Sequence, residues 1–449
     1  MEHFYTSIAY RLTRFFVSGL LLTSAVTAAG QTVAEALQAD PNRAAGNFYA
    51  LPVGKMPKDT PAPEGKKAFY INHYGCPTSY YRESSELYEE SYAVFAKADS
   101  LGKLTKLGQD VKRRLELVWR DAQGRTGELT SKGALQSREL TRQLVLRFPD
   151  IFTPDGYCSS RSIVQNNCLM TLLESTVQLS SMVKPMQINF MSSHREDRFM
   201  DPHDKRLEEL RWDSLTQARY NRFMSLNSGN SRLMETLFND QNYLIQAIDP
   251  ESLSRQLFVL AGSIQHTDLS GYVRLYDLFT PDEIRSHWKK LNAKHYIQNG
   301  ACTLNGGTQP FVQRSTLRNM IHMADSMLNR ETPVMHLRFT RDDVVMALAC
   351  LMELDNCGLQ TDNLDALDDL GWVNYRIAPL GGSVMMVHYR SEPGDPDALV
   401  KVLLNGQEAH LPIETDCAPY YHWNDVKRYY LRKLYRYENI RLNEETKEE

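Results

Sequence analysis

Ala68-Phe-Tyr-Ile-Asn-His-Tyr-Gly-Cys-Pro-Thr-Ser-Tyr-Tyr-Arg82 is the stretch that decides the fold. It opens with a short apolar, strand-like run, Ala68 to Ile71, and turns through His73-Tyr74-Gly75-Cys76-Pro77. A helix-like segment rich in Glu and Tyr follows, Glu83 to Ala98. Strand, tight turn and helix in that order build anion sites, because the turn and the helix N-terminus present free backbone N–H groups. The position looks like that of an active site, while the side chains in it do not look like working catalysts.

Upstream, residues 31–65 form a leader with Pro41, Pro52, Pro57, Pro61 and Pro63, a spacing that predicts extended or turn structure rather than a packed helix. Before it, Arg11 and Arg14 precede the apolar run Phe15 to Val26, and Thr27-Ala28-Ala29-Gly30 supply small residues for cleavage. Residues 1–30 read as a secretory signal peptide, the run being too short for a confident span. The mature chain, starting near Gln31, is expected to be exported to the periplasm or beyond the cell, with no membrane span.

Downstream, amphipathic helices are expected over Leu101–Trp119 and Ala134–Arg147 and a further helix over Cys168–Val183, with a strand over Ser159–Val164. Residues 184–313 read as an inserted, mostly helical cap, and Thr316–Asn329 as a helix whose Met-rich face is core. Val334–Phe339 is a second strand that runs into Thr340-Arg341-Asp342-Asp343 and a helix through Leu351. Thr340 with Asp343 resembles a capping box. Strands follow at Val384–Tyr389, Leu399–Leu404 and Glu408–Ile413, the last two joined by the hairpin pair Asn405-Gly406. A final helix is expected over Asp425–Tyr437, with Asn443–Glu449 frayed.

The 449 residues carry a net charge of −4, so no global basic field points to nucleic acid. Seven cysteines leave at least one unpaired. Export permits disulfides; Cys350 and Cys357 are near enough to pair, but Cys350 sits in an apolar run that also fits core. No His/Cys group has zinc spacing, and no metal or cofactor is expected.

Seven stretches in order resemble the histidine acid phosphatase family, branch 2 of the histidine phosphatase superfamily, and within it bacterial multiple inositol polyphosphate phosphatase-like proteins. They are Thr60-Pro-Ala-Pro63, Phe69-Tyr-Ile-Asn-His-Tyr-Gly75, Gly127-Glu-Leu-Thr130 with Gly133, Arg161-Ser162 before Cys168, Leu337-Arg-Phe339 with Asp342, Val400-Lys-Val-Leu-Leu-Asn-Gly406 and Pro419-Tyr-Tyr-His-Trp423. The resemblance implies an α/β fold: a phosphoglycerate-mutase-like mixed sheet flanked by helices, its core formed by residues 66–183 and 314–449, with the cap inserted between.

In active members of that family the first motif is Arg-His-Gly-x-Arg. Its His becomes phosphorylated, its two Arg and a third Arg clamp the phosphate bidentately, and a later acid protonates the leaving oxygen. Carried onto this chain, Cys76 falls at the first Arg, Pro77 at the nucleophile, Tyr80 at the second Arg and Asn167 at the third. Thr340 and Arg341 fall where Gly and His are expected, and only Asp342, the proton donor, survives.

Pro77 offers no nucleophile, so a catalytically inactive binding or interaction protein is expected. The alternative is a phytase-like phosphomonoesterase working through displaced residues such as His73 or Cys76. His73, Arg82, Arg161 and Arg341 either line the old pocket, where they would hold phosphate or a phosphorylated small molecule, or pair with local carboxylates such as Asp342 and Asp343. The sequence names no protein partner.

Overall fold

The computed structural model describes residues 31–227 and 232–448; the candidate signal peptide lies outside them. Eight strands form one mixed sheet: β1 (Lys67–Gly75), β2 (Tyr157–Ser162), β3 (Gln187–Ser192), β4 (Val334–Phe339), β5 (Ser383–Arg390), β6 (Leu399–Leu404), β7 (Gln407–Ala409) and β8 (Tyr420–His422). Their order is β3-β2-β4-β1-β5-β6-β7, with β8 also on β6. β3, β2, β4 and β1 run parallel, and β5 to β8 are added antiparallel.

β1 and β4 are buried almost throughout, as a parallel sheet covered by helices on both faces requires. Alternation along β1 separates the two faces. Asn72 reaches Met320 O at 3.4 Å, in the helix Arg314–Met327. His73 and Gly75 border a cavity also lined by Ser137 and Thr171, from the helices Ser131–Arg147 and Asn166–Met182 on the other face. Register pairs Gly75 with Phe339 and Phe339 with Ser162, so β1, β4 and β2 end level. Three loops therefore leave the sheet side by side at its carboxyl edge, where open α/β sheets place their sites.

A second hydrophobic core lies beside the first. It joins Val33 and Leu37 to the helices Ser85–Ser100 and Lys106–Ala122 and to much of the insertion. The helical layer over the sheet edge thus draws on residues before 184 as well as after. β3, expected to be cap, belongs to the sheet.

The expected leader is also more ordered than its prolines suggested. Thr32 caps the helix Val33–Ala39 with a full capping box, and Pro41 opens the 3₁₀ helix Pro41–Phe48, a position where a missing N–H costs nothing. The expected Thr340 capping box does not form. Arg341 is the N-cap of Asp342–Leu351, and Thr340 Oγ1 donates instead to Met200 O at 2.5 Å. The last helix runs Trp423–Glu448, into the tail expected to be frayed. All seven cysteines are free, Cys350 and Cys357 both buried in the main core. No helix among the described residues is long and apolar enough to cross a membrane.

Candidate functional site

The three strand-end loops wall a cavity of about 280 Å³. The loop after β1 contributes Pro77, Tyr80 and Glu83, and the turn after β2 contributes Gln165 and Asn167. The start of the helix Asp342–Leu351 contributes Arg341, Asp342, Asp343 and Met346. The insertion closes the space with Arg211, at the end of the helix Lys205–Arg211, and with His295, Gln298 and Asn299, from the helix Pro281–Asn299. Asn47 enters from the 3₁₀ helix near the N-terminus.

Pro77, Tyr80, Asn167, Arg341 and Asp342, singled out from the sequence, thus meet in one place. Cys76 does not: it points away, 1% exposed. Burial, reinforced by Asp342, holds its thiol well above the usual range, so no thiolate is available as a nucleophile.

The turn after β1 is not a free anion cradle. Cys76 N–H donates to Gly382 O (2.8 Å), Thr78 N–H to Thr171 Oγ1 (3.1 Å) and Ser79 N–H to Gln136 Oε1 (3.0 Å). Tyr81 N–H donates to Glu128 O (2.9 Å) and Arg82 N–H to Tyr88 Oη (3.1 Å). Pro77 has no N–H to offer. The N–H groups of Cys76, Thr78, Ser79, Tyr81 and Arg82 are thus already hydrogen-bonded to the protein.

The four candidate anion binders do not converge either. His73 lies within β1, buried against Phe339 at 5.6 Å, and faces the opposite side of the sheet. Burial lowers its pKa to about 4, so it is neutral. Arg82 stacks on Phe48 with its guanidinium carbon 3.4 Å from the ring centroid, and its Nε donates to Ser263 Oγ at 3.1 Å. Arg161 pairs with Glu196 at 2.7 Å. Only Arg341 lines the cavity, and its guanidinium is shared between Asp201 (3.0 Å) and Asp343 (3.0 Å).

The carboxylates are distinctive. Glu83 Oε1 accepts hydrogen bonds from Gln165 Nε2 and, at 3.4 Å, from Asn167 Nδ2. Asp342 accepts one from Asn47 Nδ2. Burial and the neighbouring Asp343 raise the Asp342 pKa to about 6, which leaves it poised near neutrality.

His295 has a determinate tautomer. Trp288 Nε1, which can only donate, gives its hydrogen to Asn374 Oδ1 at 3.0 Å. The Asn374 amide nitrogen is therefore the group facing His295 Nδ1 at 3.0 Å, and Nδ1 accepts. Burial lowers the His295 pKa to about 3, so the ring is neutral and its hydrogen sits on Nε2.

Sequence reasoning missed Asn47, Glu83, Gln165, Arg211, His295, Gln298 and Asn299. Glu83 and Gln165 flank motif positions and could have been found by proximity. Asn47 lies in a stretch read as leader, and the insertion's residues come together only through tertiary packing.

A larger cavity of about 620 Å³ lies on the opposite face of β1, lined by His73 and Cys76, and shares no residue with the first. Among the described residues one group could ligate a metal, Asp416, Cys417 and His422, with ligand atoms within 4.8 Å of one another. His422 already bridges Asp397 (2.7 Å) and Asp416 (3.1 Å).

No protein-family model and no curated protein matches the chain. Solved structures do. Bifidobacterium longum multiple inositol polyphosphate phosphatase in complex with inositol hexasulfate is 13% identical with a TM-score of 0.68, over 86% of this chain and 97% of that one. The same protein in complex with phosphate is 14% identical at 0.68 over the same shares. The phytase from D. castellii is 13% identical at 0.66, over 88% and 85%. The fold is that of the histidine acid phosphatases. The histidine acid phosphatase fold here carries a strand-end cavity whose sole lining histidine is neutral and whose lining includes three carboxylates beside two arginines, Arg211 and Arg341.

Proposed function

We propose that this chain is a catalytically silent protein on the histidine acid phosphatase fold, which uses the strand-end cavity to bind rather than to hydrolyse. The observation that carries this is Pro77. It stands in the cavity at the position where the sequence register puts the phosphorylated histidine, its carbonyl fixed by Gly381 N–H at 2.8 Å. Phosphoryl transfer needs an in-line nucleophile and cationic forks on the phosphate oxygens. His73 and Cys76 face away, and the guanidinium of Arg341 is engaged by two carboxylates.

One observation favours the alternative of residual hydrolysis. With its pKa near 6, Asp342 keeps a proton in mildly acid solution and could serve as a general acid. An acid without a nucleophile or clamp leaves most of the barrier standing, since each missing donor at such a site costs about 2.7–4 kcal/mol.

The test is turnover. The chain from Gln31 onward is expected to release no phosphate from phytate or from an aryl phosphate across acid and neutral pH. Pro77→His alone is expected not to restore activity, because Tyr80 and Asn167 still stand at the clamp positions. Hydrolysis by the unaltered chain that disappears in Asp342→Asn would overturn the reading. Export belongs to the same proposal, supported by the basic–apolar–small pattern of residues 11–30. Cell fractionation and N-terminal sequencing should find a mature chain beginning near Gln31 outside the cytoplasm.

A further inference from the structure

Resting on the catalytically silent reading above, we propose that the strand-end cavity takes a single uncharged polyhydroxylated ring, a cyclitol or hexose without phosphate groups. The charge balance argues first. With Asp342 ionised, Glu83, Asp342 and Asp343 set three negative charges against Arg341 and Arg211. Each charged group already has a partner inside the protein: Glu83 has Gln165, Asp342 has Asn47, Arg341 has Asp201 and Asp343, and Arg211 Nε has Gln309 Oε1 at 3.2 Å. A multiply charged phosphate ester entering here would meet three carboxylates, with the Arg341 fork already shared between Asp201 and Asp343 and only Arg211 left to offset its charge, and desolvating it under-compensated is costly.

What the cavity offers besides these charged groups is neutral. The Tyr80 hydroxyl and the Gln298 amide line it, and the tautomer deduced above leaves His295 Nε2–H as a donor. The carboxylate oxygens of Glu83 and Asp342 remain able to accept from hydroxyl groups. Donors and acceptors together in one cavity match vicinal hydroxyls, each of which can both donate and accept.

Shape points the same way. Tyr80 is held edge-on against Phe48, with centroids 5.1 Å apart and planes at 79°, so its ring is a fixed wall. Pro77 and Met346 add apolar surface for the C–H faces of a saturated ring. About 280 Å³ lies just below the ~300–1,000 Å³ usual for small-molecule sites, which suits one ring.

The experiment is ligand-observed NMR and calorimetry on the chain from Gln31 onward. The probes are myo-inositol, glucose, galactose and mannose, with inorganic phosphate and phytate as anionic arms. At least one uncharged ring should bind, and Tyr80→Ala and His295→Ala should each weaken it about tenfold or more. Glu83→Gln and Gln298→Ala, at the rim of the cavity, repeat the test should either first variant fail to fold. Binding of no uncharged ring, binding indifferent to these variants, or tighter binding of phosphate or phytate would overturn the inference. Phytate turnover would overturn the silent reading as well; absence of both turnover and ring binding would overturn the inference alone.

Discussion

Asp342 shows how burial and a neighbouring charge act together on one side chain. A carboxyl group ordinarily loses its proton near pH 3.8; burial beside Asp343 delays that here to about pH 6. Between those two values the folded protein holds a proton that the unfolded chain has released. Stability therefore falls as pH rises from about 4 to about 6, and the full penalty persists above that window. Asp342→Asn keeps an oxygen for the Asn47 amide and removes the charge. It is expected to match the parent near pH 4 and to exceed it by roughly 2–3 kcal/mol at neutral pH. Denaturant unfolding at the two pH values measures the difference; a gain of equal size at both would mean that the charge is not its source. At this scale the sequence was readable wherever a motif supplied a register. The resemblance to the histidine acid phosphatases puts Pro77, Tyr80, Asn167 and Arg341 at the site, and they line it. The charge pairing was not readable, because Asp201, which shares Arg341 with Asp343, is far from it in the chain. Nor was the strand phase that turns His73 to the opposite face, or the turn after β1 that carries Cys76 to the same cavity.

Elements were legible where a run was apolar and bounded. Val334–Phe339 and Leu399–Leu404 are strands with the bounds expected of them, and Asn405-Gly406 turns with φ of 52° and 77°, the left-handed pair a tight hairpin needs. The following strand stops at Ala409 rather than Ile413, as the next N–H groups leave the ladder: His410 N–H donates to Asp355 Oδ1 at 3.1 Å and Leu411 N–H to Tyr421 Oη at 3.0 Å, and Pro412 has none to donate. The site depends on how closely one helix meets the loop after β1. In the helix Ser131–Arg147, a Cβ on Gly133 would lie 2.0 Å from Ser79 O, and Thr130 N–H and Oγ1 both donate to that same carbonyl, at 3.0 and 3.2 Å. Backbone cannot yield as the end of a flexible side chain can. Although alanine is the better helix former, Gly133→Ala should destabilise the fold by about 1–3 kcal/mol. The shift should pass to Tyr80, next in the chain, so intrinsic fluorescence or NMR of the cavity residues should change together with the denaturation midpoint. An unchanged midpoint would show that the helix can retreat freely.

On the scale of the whole molecule, the N-terminal segment that the sequence presented as a loose leader is a strap across both cores. Its first helix buries Val33 and Leu37 in the second core; Asn47 then reaches Asp342, and the chain crosses to the sheet. There it is latched. Arg147 holds Asp59 through two hydrogen bonds of 2.7 and 2.9 Å, and Glu408 accepts from Thr60 N–H and Thr60 Oγ1, both at 2.8 Å. Beneath the latch lies Lys401, 1% exposed, whose ammonium meets Glu408 at 2.9 Å and Asp59 at 3.7 Å. Hydropathy could not foretell this, because a lysine inside Leu399–Leu404 reads as an outward-facing position. A buried ammonium is tolerated only while its partner is present. Glu408→Ala should therefore cost about 3 kcal/mol or more, by leaving the charge in place and freeing the strap. Lys401→Met with Glu408→Leu removes both charges and restores packing, so the double variant should recover most of that loss. Urea denaturation of the three proteins reads the ordering, and hydrogen exchange should rise in residues 56–64 of the single variant. Were the double variant no more stable than Glu408→Ala, the loss would lie in the contacts to Thr60 and not in the stranded charge, and the latch would be held by hydrogen bonds alone.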